Sequence, residues 1–133
     1  MTPASEKAAA LEALADRVEG AQGDNTAELL SDAWDELGPV RRWSADKAGR
    51  FGRLIDAEGF IDAAEMLVPV GCEWRVSDPA NADGSNSIFG YPTRCHAYVV
   101  CGDREHNYGA TPALALCSAA LRSAAALARS AGV

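Results

Sequence analysis

The sequence predicts an α+β fold: helices first, then a small antiparallel sheet of three to four strands, then one helix laid across it. Three observations predict it. Up to residue 68 the apolar positions recur mainly at helical spacing, in 71–77 and 94–101 they alternate, and the chain closes on a long capped alanine–leucine helix. The expected order is α-α-(α)-α-β-β-β-α. The 133 residues are read as a single domain, 1–133.

The first helix starts at Thr2 or Ser5 and ends near Gly20. Pro3 suits a first turn, where its missing N–H has no intrahelical partner. Ala4, Ala8, Leu11, Leu14, Ala15 and Val18 share one face. The second helix takes Asn25 as N-cap, with Glu28 at capping-box spacing. Leu29, Leu30, Ala33, Trp34 and Leu37 form its apolar face. Gly38 and Pro39 end it, because proline interrupts the hydrogen-bond ladder. Residues 40–59 read as a short helix or an irregular loop. Ala48, Phe51 and Ile55 have helical spacing, but Gly49, Gly52 and Gly59 would each cost about 1 kcal/mol in a helix interior. A short helix at 60–68 is stopped by Pro69.

In 71–77 the residues Cys72, Trp74 and Val76 alternate with Glu73, Arg75 and Ser77, as in a half-buried strand. Residues 78–86 are dense in turn formers. A second strand follows at 87–91, which Pro92 ends or holds to a sheet edge. A third spans 94–101, with Cys95, Ala97, Val99 and Cys101 on one side. After a polar loop, a short pairing near Tyr108 completes the sheet. The last helix has Thr111 as N-cap and Pro112 as first residue. Leu114, Leu116, Cys117, Ala120, Leu121, Ala124, Leu127 and Ala128 give it a wide apolar face, with Ser118, Arg122 and Arg129 opposite. The expected core is Leu11, Leu29, Trp34, Cys72, Trp74, Val76, Val99, Leu114 and Leu121.

The composition, 48% apolar and 23% charged, is that of a globular protein. No apolar run approaches the roughly 20 residues that span a bilayer. The first residues lack the basic start and apolar stretch of a signal peptide. A cytoplasmic protein with no membrane partner is therefore expected. The net charge of −7 disfavours nucleic acid as a partner. The charge is uneven. Residues 1–40 carry two bases against nine acids, whereas 41–55 carry Arg41, Arg42, Lys47, Arg50 and Arg53 against Asp46 alone. The four cysteines form no CxxC pair and are read as small buried hydrophobes, since disulfides are not the default in a cytoplasm.

Two blocks resemble the phage ABA sandwich domain family, small phage and prophage proteins without a known activity. The first is Asp-Ala-Ala-Glu-Met-Leu-Val-Pro-Val-Gly at 62–71, followed by Trp74. The second is Ala-Thr-Pro-Ala-Leu-Ala-Leu-Cys-Ser-Ala-Ala-Leu-Arg at 110–122. The resemblance implies a phage origin and an α/β/α layering, with helices on both faces of the sheet. It supplies no catalytic residue. The first two helices and the basic segment lie outside it.

Four candidate sites follow from residue type. Cys95, His96, Cys101 and His106 hold zinc-binding groups, but Cys95 and Cys101 lie about 20 Å apart on an extended strand, too far to share one ion. Cys101 and His106 flank a loop and could form a nucleophile pair, without a visible third group. Arg41, Arg42, Lys47, Arg50 and Arg53, interleaved with Trp43 and Phe51, could contact phosphates or stack on bases. The blander reading is charge balance against the nearby acids. Glu28, Asp32, Asp35 and Glu36 form an anionic stripe on the second helix, suited to solvent or to a basic partner. No metal, cofactor or catalytic residue is expected. The expected function is that of a non-enzymatic phage or prophage accessory protein, monomer or homodimer. It would bind a host or phage protein, in the finer reading as an inhibitor of a host defence system of the anti-CRISPR kind. The alternative is a nucleic-acid or nucleotide binder using residues 41–53.

Overall fold

The computed structural model describes residues 3–69, 71–77, 95–100 and 107–131. The strand expected at 87–91 lies outside them. α1 (Pro3–Gly20) buries Ala8, Leu11, Leu14, Ala15 and Val18, the face its spacing marks. α2 (Thr26–Arg41) buries Leu29, Leu30, Ala33, Trp34 and Leu37.

α2 departs from expectation at both ends. The Asn25 side chain makes no capping bond, because its backbone (φ −118°, ψ 31°) is not in the extended conformation that aims a cap at the first turn. Thr26 Oγ1 donates instead to the Gly23 carbonyl at 2.8 Å. At the other end the helix runs through Pro39 to Arg41. A proline in the last turn removes one ladder bond, and Gly38 before it lacks the Cβ that would clash with the ring. The helix closes at Arg42, whose left-handed backbone (φ 50°) lets its N–H donate to the Gly38 carbonyl at 2.7 Å.

Residues 40–59 contain a full helix, α3 (Ala45–Asp56). The Ser44 hydroxyl caps it, accepting from the Lys47 N–H at 3.2 Å. The cap and the burial of Phe51, 4% exposed, outweigh the glycine cost. α4 (Phe60–Glu65) is shorter than the expected 60–68. Ahead of Pro69 the chain tightens into three-residue turns, with Leu67 N–H to Ala64 at 3.0 Å and Val68 N–H to Glu65 at 3.1 Å.

β1 (Glu73–Ser77), β2 (Cys95–Val100) and β3 (Asn107–Gly109) pair antiparallel in the order β1-β2-β3. Trp74 stands opposite Val99, and Cys95 opposite Gly109. α5 (Pro112–Ala131) is capped by Thr111, whose Oγ1 accepts from the Leu114 N–H at 3.2 Å.

The expected α+β sandwich is not what forms. The chain is mostly helical, and its described strands are short, with five, six and three residues. The central element is a helix, α5. Every residue of α5 from Ala113 to Leu121 is buried. α5 packs against α1, α2 and α4 and against all three strands. In an α/β/α sandwich a sheet holds that place. The reason lies in 113–121, Ala-Leu-Ala-Leu-Cys-Ser-Ala-Ala-Leu, which carries no charge. A helix apolar all round is buried all round, and its alanines let neighbours approach from every direction.

Of the expected core, Leu11, Leu29, Trp34, Leu114 and Leu121 are buried, each fully buried leucine contributing about 2 kcal/mol. Cys72, Trp74 and Val76 pack half-buried against that core. The Val99 side chain lies outside what is described. Cys117 is free and buried, and burial pushes its thiol up to about 12. Cys72 corrects the reading of the cysteines as simple hydrophobes, because it is disulfide-bonded.

Candidate interaction surface

The charges of α1 are largely committed to its neighbours. Lys7 Nζ lies 2.9 Å from Glu36 Oε1 and also donates to the Glu36 carbonyl. Arg17 reaches Asp32 at 3.4 Å. Toward α5, Arg122 bridges Asp16 at 2.7 Å and Glu19, and Arg129 holds Glu12 with both guanidinium arms, one at 2.8 Å. The late arginines of α5 therefore clamp α1 rather than serving only their own helix dipole. The hydrogen bond from Arg129 holds the Glu12 carboxyl below the usual carboxylate range, and those that Arg122 donates to Glu19 and Asp16 raise its own pKa.

These pairs draw on the acidic stripe that the charge-balance reading sets against the basic segment. Asp32 and Glu36 are taken by α1, not by residues 41–53. Glu28 and Asp35 remain exposed on α2. Of the anionic stripe, half is already part of the α1–α2 contact.

The basic segment divides into an anchor and a face. Trp43 stacks on Trp34 with centroids 3.8 Å apart and planes 11° off parallel, and its indole N–H donates to the Trp34 carbonyl at 3.0 Å. Phe51 stacks on the same Trp34 at 4.2 Å. Two aromatics from the basic segment are thereby used to fasten it to α2. Both are committed, so neither is free to stack on a base. Trp34 is the partner that sequence reasoning missed. The signal was its place on the buried face of α2, which put an aromatic in reach of the two that follow.

Arg41 belongs to the anchor. Its Nη1 donates to the Leu67 carbonyl at 3.0 Å, and its guanidinium stands 5.7 Å from the Trp43 ring centroid. Nη2 is buried and has no hydrogen-bond partner among the described residues, and burial lowers the side chain's pKa.

The face is what remains. Arg42, Lys47, Arg50 and Arg53 are exposed, the last three at successive three-residue steps along α3. Among the described residues none of the four has a carboxylate within 4.0 Å. α3 is peripheral, with α4 as its main neighbour. The result is a ridge of unneutralised cations on a molecule whose net charge is −7.

The remaining candidates lie largely outside the described residues. Cys101 and His106 are not described, nor are the side chains of Cys95 and His96. Among the described residues no group of three or more His, Cys, Asp or Glu could hold a metal ion, and no helix is long and apolar enough to cross a membrane. No family model, no curated protein and no solved structure matches the chain.

Proposed function

We propose that this chain is a non-enzymatic accessory protein that acts by binding another protein, with the exposed basic face of α3 as its contact surface. The observation that carries the proposal is the contrast in charge use. The described bases of α1 and α5 are neutralised by a carboxylate, and those exposed on α3 are not. Exposed cations held on a rigid helix steer and orient an acidic partner. A protein partner is favoured over nucleic acid for two reasons. Trp43 and Phe51 are committed to Trp34, and the net −7 opposes a polyanion at long range.

The resemblance to phage proteins supports the finer form of this reading: a phage or prophage product that works in the host cytoplasm, with a component of a host defence system as its target. The test compares the wild-type protein with a Lys47→Glu/Arg50→Glu/Arg53→Glu variant in pull-downs from a defence-carrying host, alongside phage plating. The expected outcome is a defence component retained by the wild type and lost by the variant, with plating rescued by the wild type alone. Equal retention by both proteins contradicts the docking face. No enriched defence component and no rescue contradicts the finer form. A titration with DNA and RNA at two salt concentrations addresses the nucleic-acid alternative. Binding that strengthens as salt falls and is lost in the variant would replace the protein partner with a phosphate backbone.

A further inference from the structure

Trp34 is enclosed on both faces of its ring. The Trp43 centroid lies 3.8 Å from that of Trp34 and the Phe51 centroid 4.2 Å, with planes 11° and 17° off parallel. Two rings this close to one centroid would overlap if they shared a face, so they take opposite faces. We propose that Trp34 is the positioning residue of the α3 ridge, a role that rests on the reading of that ridge as the contact surface. Held between Trp43 and Phe51, Trp34 sets where Lys47, Arg50 and Arg53 stand. At 9% exposure it acts through its two neighbours rather than by touching a partner.

The two rings grip α3 at different points. Trp43 stands just ahead of the Ser44 cap, at the entrance to the helix, and Phe51 sits within it, next to Arg50. Two fixed points set the direction of the axis. Phe51 is also the one fully buried residue of α3, so its seat sets the rotation about that axis. At about 100° per residue, that rotation carries Arg50 and Arg53 away from the Phe51 side. Each stacked pair shifts an equilibrium by about two- to tenfold beyond the area it buries. Loss of both frees α3 from α2, while Leu29, Leu30, Ala33 and Leu37 keep α2 in the core. The Trp43 indole donates to the Trp34 carbonyl, a backbone group, so that bond stays available whatever side chain stands at 34. A substitution there therefore isolates what the ring does.

The test reads helix direction from residual dipolar couplings of the backbone amides, in the whole protein and at a temperature where circular dichroism shows each variant folded. In the wild type one orientation should fit the couplings of α1, α2, α3 and α5. In Trp34→Leu the couplings of α1, α2 and α5 should still fit it, and those of α3 should not. Trp34→Phe, which keeps a ring between the two others, should restore α3 to the common fit. Trp43→Leu, at a half-buried position, serves if Trp34→Leu does not fold, and should release α3 in the same way. In pull-downs the partner held by the wild type should be lost by Trp34→Leu and kept by Trp34→Phe. A change of stability alone would move neither readout in a folded protein. Couplings of α3 that keep the common fit in the leucine variants would overturn the role. So would a partner held by Trp34→Leu as well as by the wild type and released by Lys47→Glu/Arg50→Glu/Arg53→Glu. The couplings need no partner, so release of α3 in a protein that retains none would uphold the seat and contradict the contact surface.

Discussion

Glu58 holds a backbone conformation, φ 59°, that costs a side-chain-bearing residue about 1–2 kcal/mol. It does so because α3 ends in a Schellman turn. The Glu58 N–H donates to Ile55 at 3.1 Å and the Gly59 N–H to Leu54 at 2.7 Å. Glycine stands one position later than the turn prefers. Part of the relief from placing it at 58 is offset by the extra freedom glycine gives the unfolded chain. Glu58→Gly should therefore stabilise the protein by about 0.5–1 kcal/mol, read as a raised urea midpoint at unchanged slope. A lowered midpoint would mean that the Glu58 side chain contributes more than its backbone costs. The same residue scale explains why α3 was only half legible in the sequence. Three glycines argue against a helix, while the Ser44 cap and the inward Phe51 argue for one. The balance depends on Trp34, which sits on another element.

β3 shows what packing adds at the scale of the element. Gly109 has no side chain because the backbone of α5 takes its space. A Cβ there would lie 2.5 Å from the Ala115 nitrogen and 2.9 Å from the Leu114 carbonyl carbon. Backbone atoms at that distance cannot swing aside as a flexible side chain would. Gly109→Ala should cost about 3 kcal/mol, the upper end of ordinary overpacking, measured as loss of Tm together with weakened protection of the β3 and α5 amides. A loss well under 1 kcal/mol would show that β3 does not rest on α5 as described. Periodicity identified β1, β2 and the buried faces of α1 and α2, because each is a property of one element alone. It misplaced the layers, since which element lies at the centre depends on how the others surround it. The signal was present in α5: nine consecutive residues without a charge fit a helix covered on all sides better than one lying across a sheet.

On the scale of the whole molecule, charge is divided between holding the fold and facing outward. α1 ties α2 through Lys7 and Arg17, and α5 through Glu12, Asp16 and Glu19. The sequence revealed the basic and acidic segments but not this division, because residues that pair here are up to 117 positions apart. The clamp has a pH signature. The folded pKa of Glu12 lies below its ordinary 4.5, so its contribution is present above that value and is lost as pH falls through the lowered one. The stability gap between wild type and Glu12→Gln should be present at neutral pH and close progressively below about pH 4.5. A gap that stays constant into strong acid would place the effect elsewhere. Among the described residues the cations of the α3 ridge have no carboxylate partner, and that ridge is the proposed contact surface. The most direct measurement is partner retention by wild type and by Lys47→Glu/Arg50→Glu/Arg53→Glu, both shown to fold by circular dichroism and to melt within about 3 °C of each other, as exposed substitutions should. The wild type should hold a protein partner that the variant releases. The same partner held equally by both would contradict it.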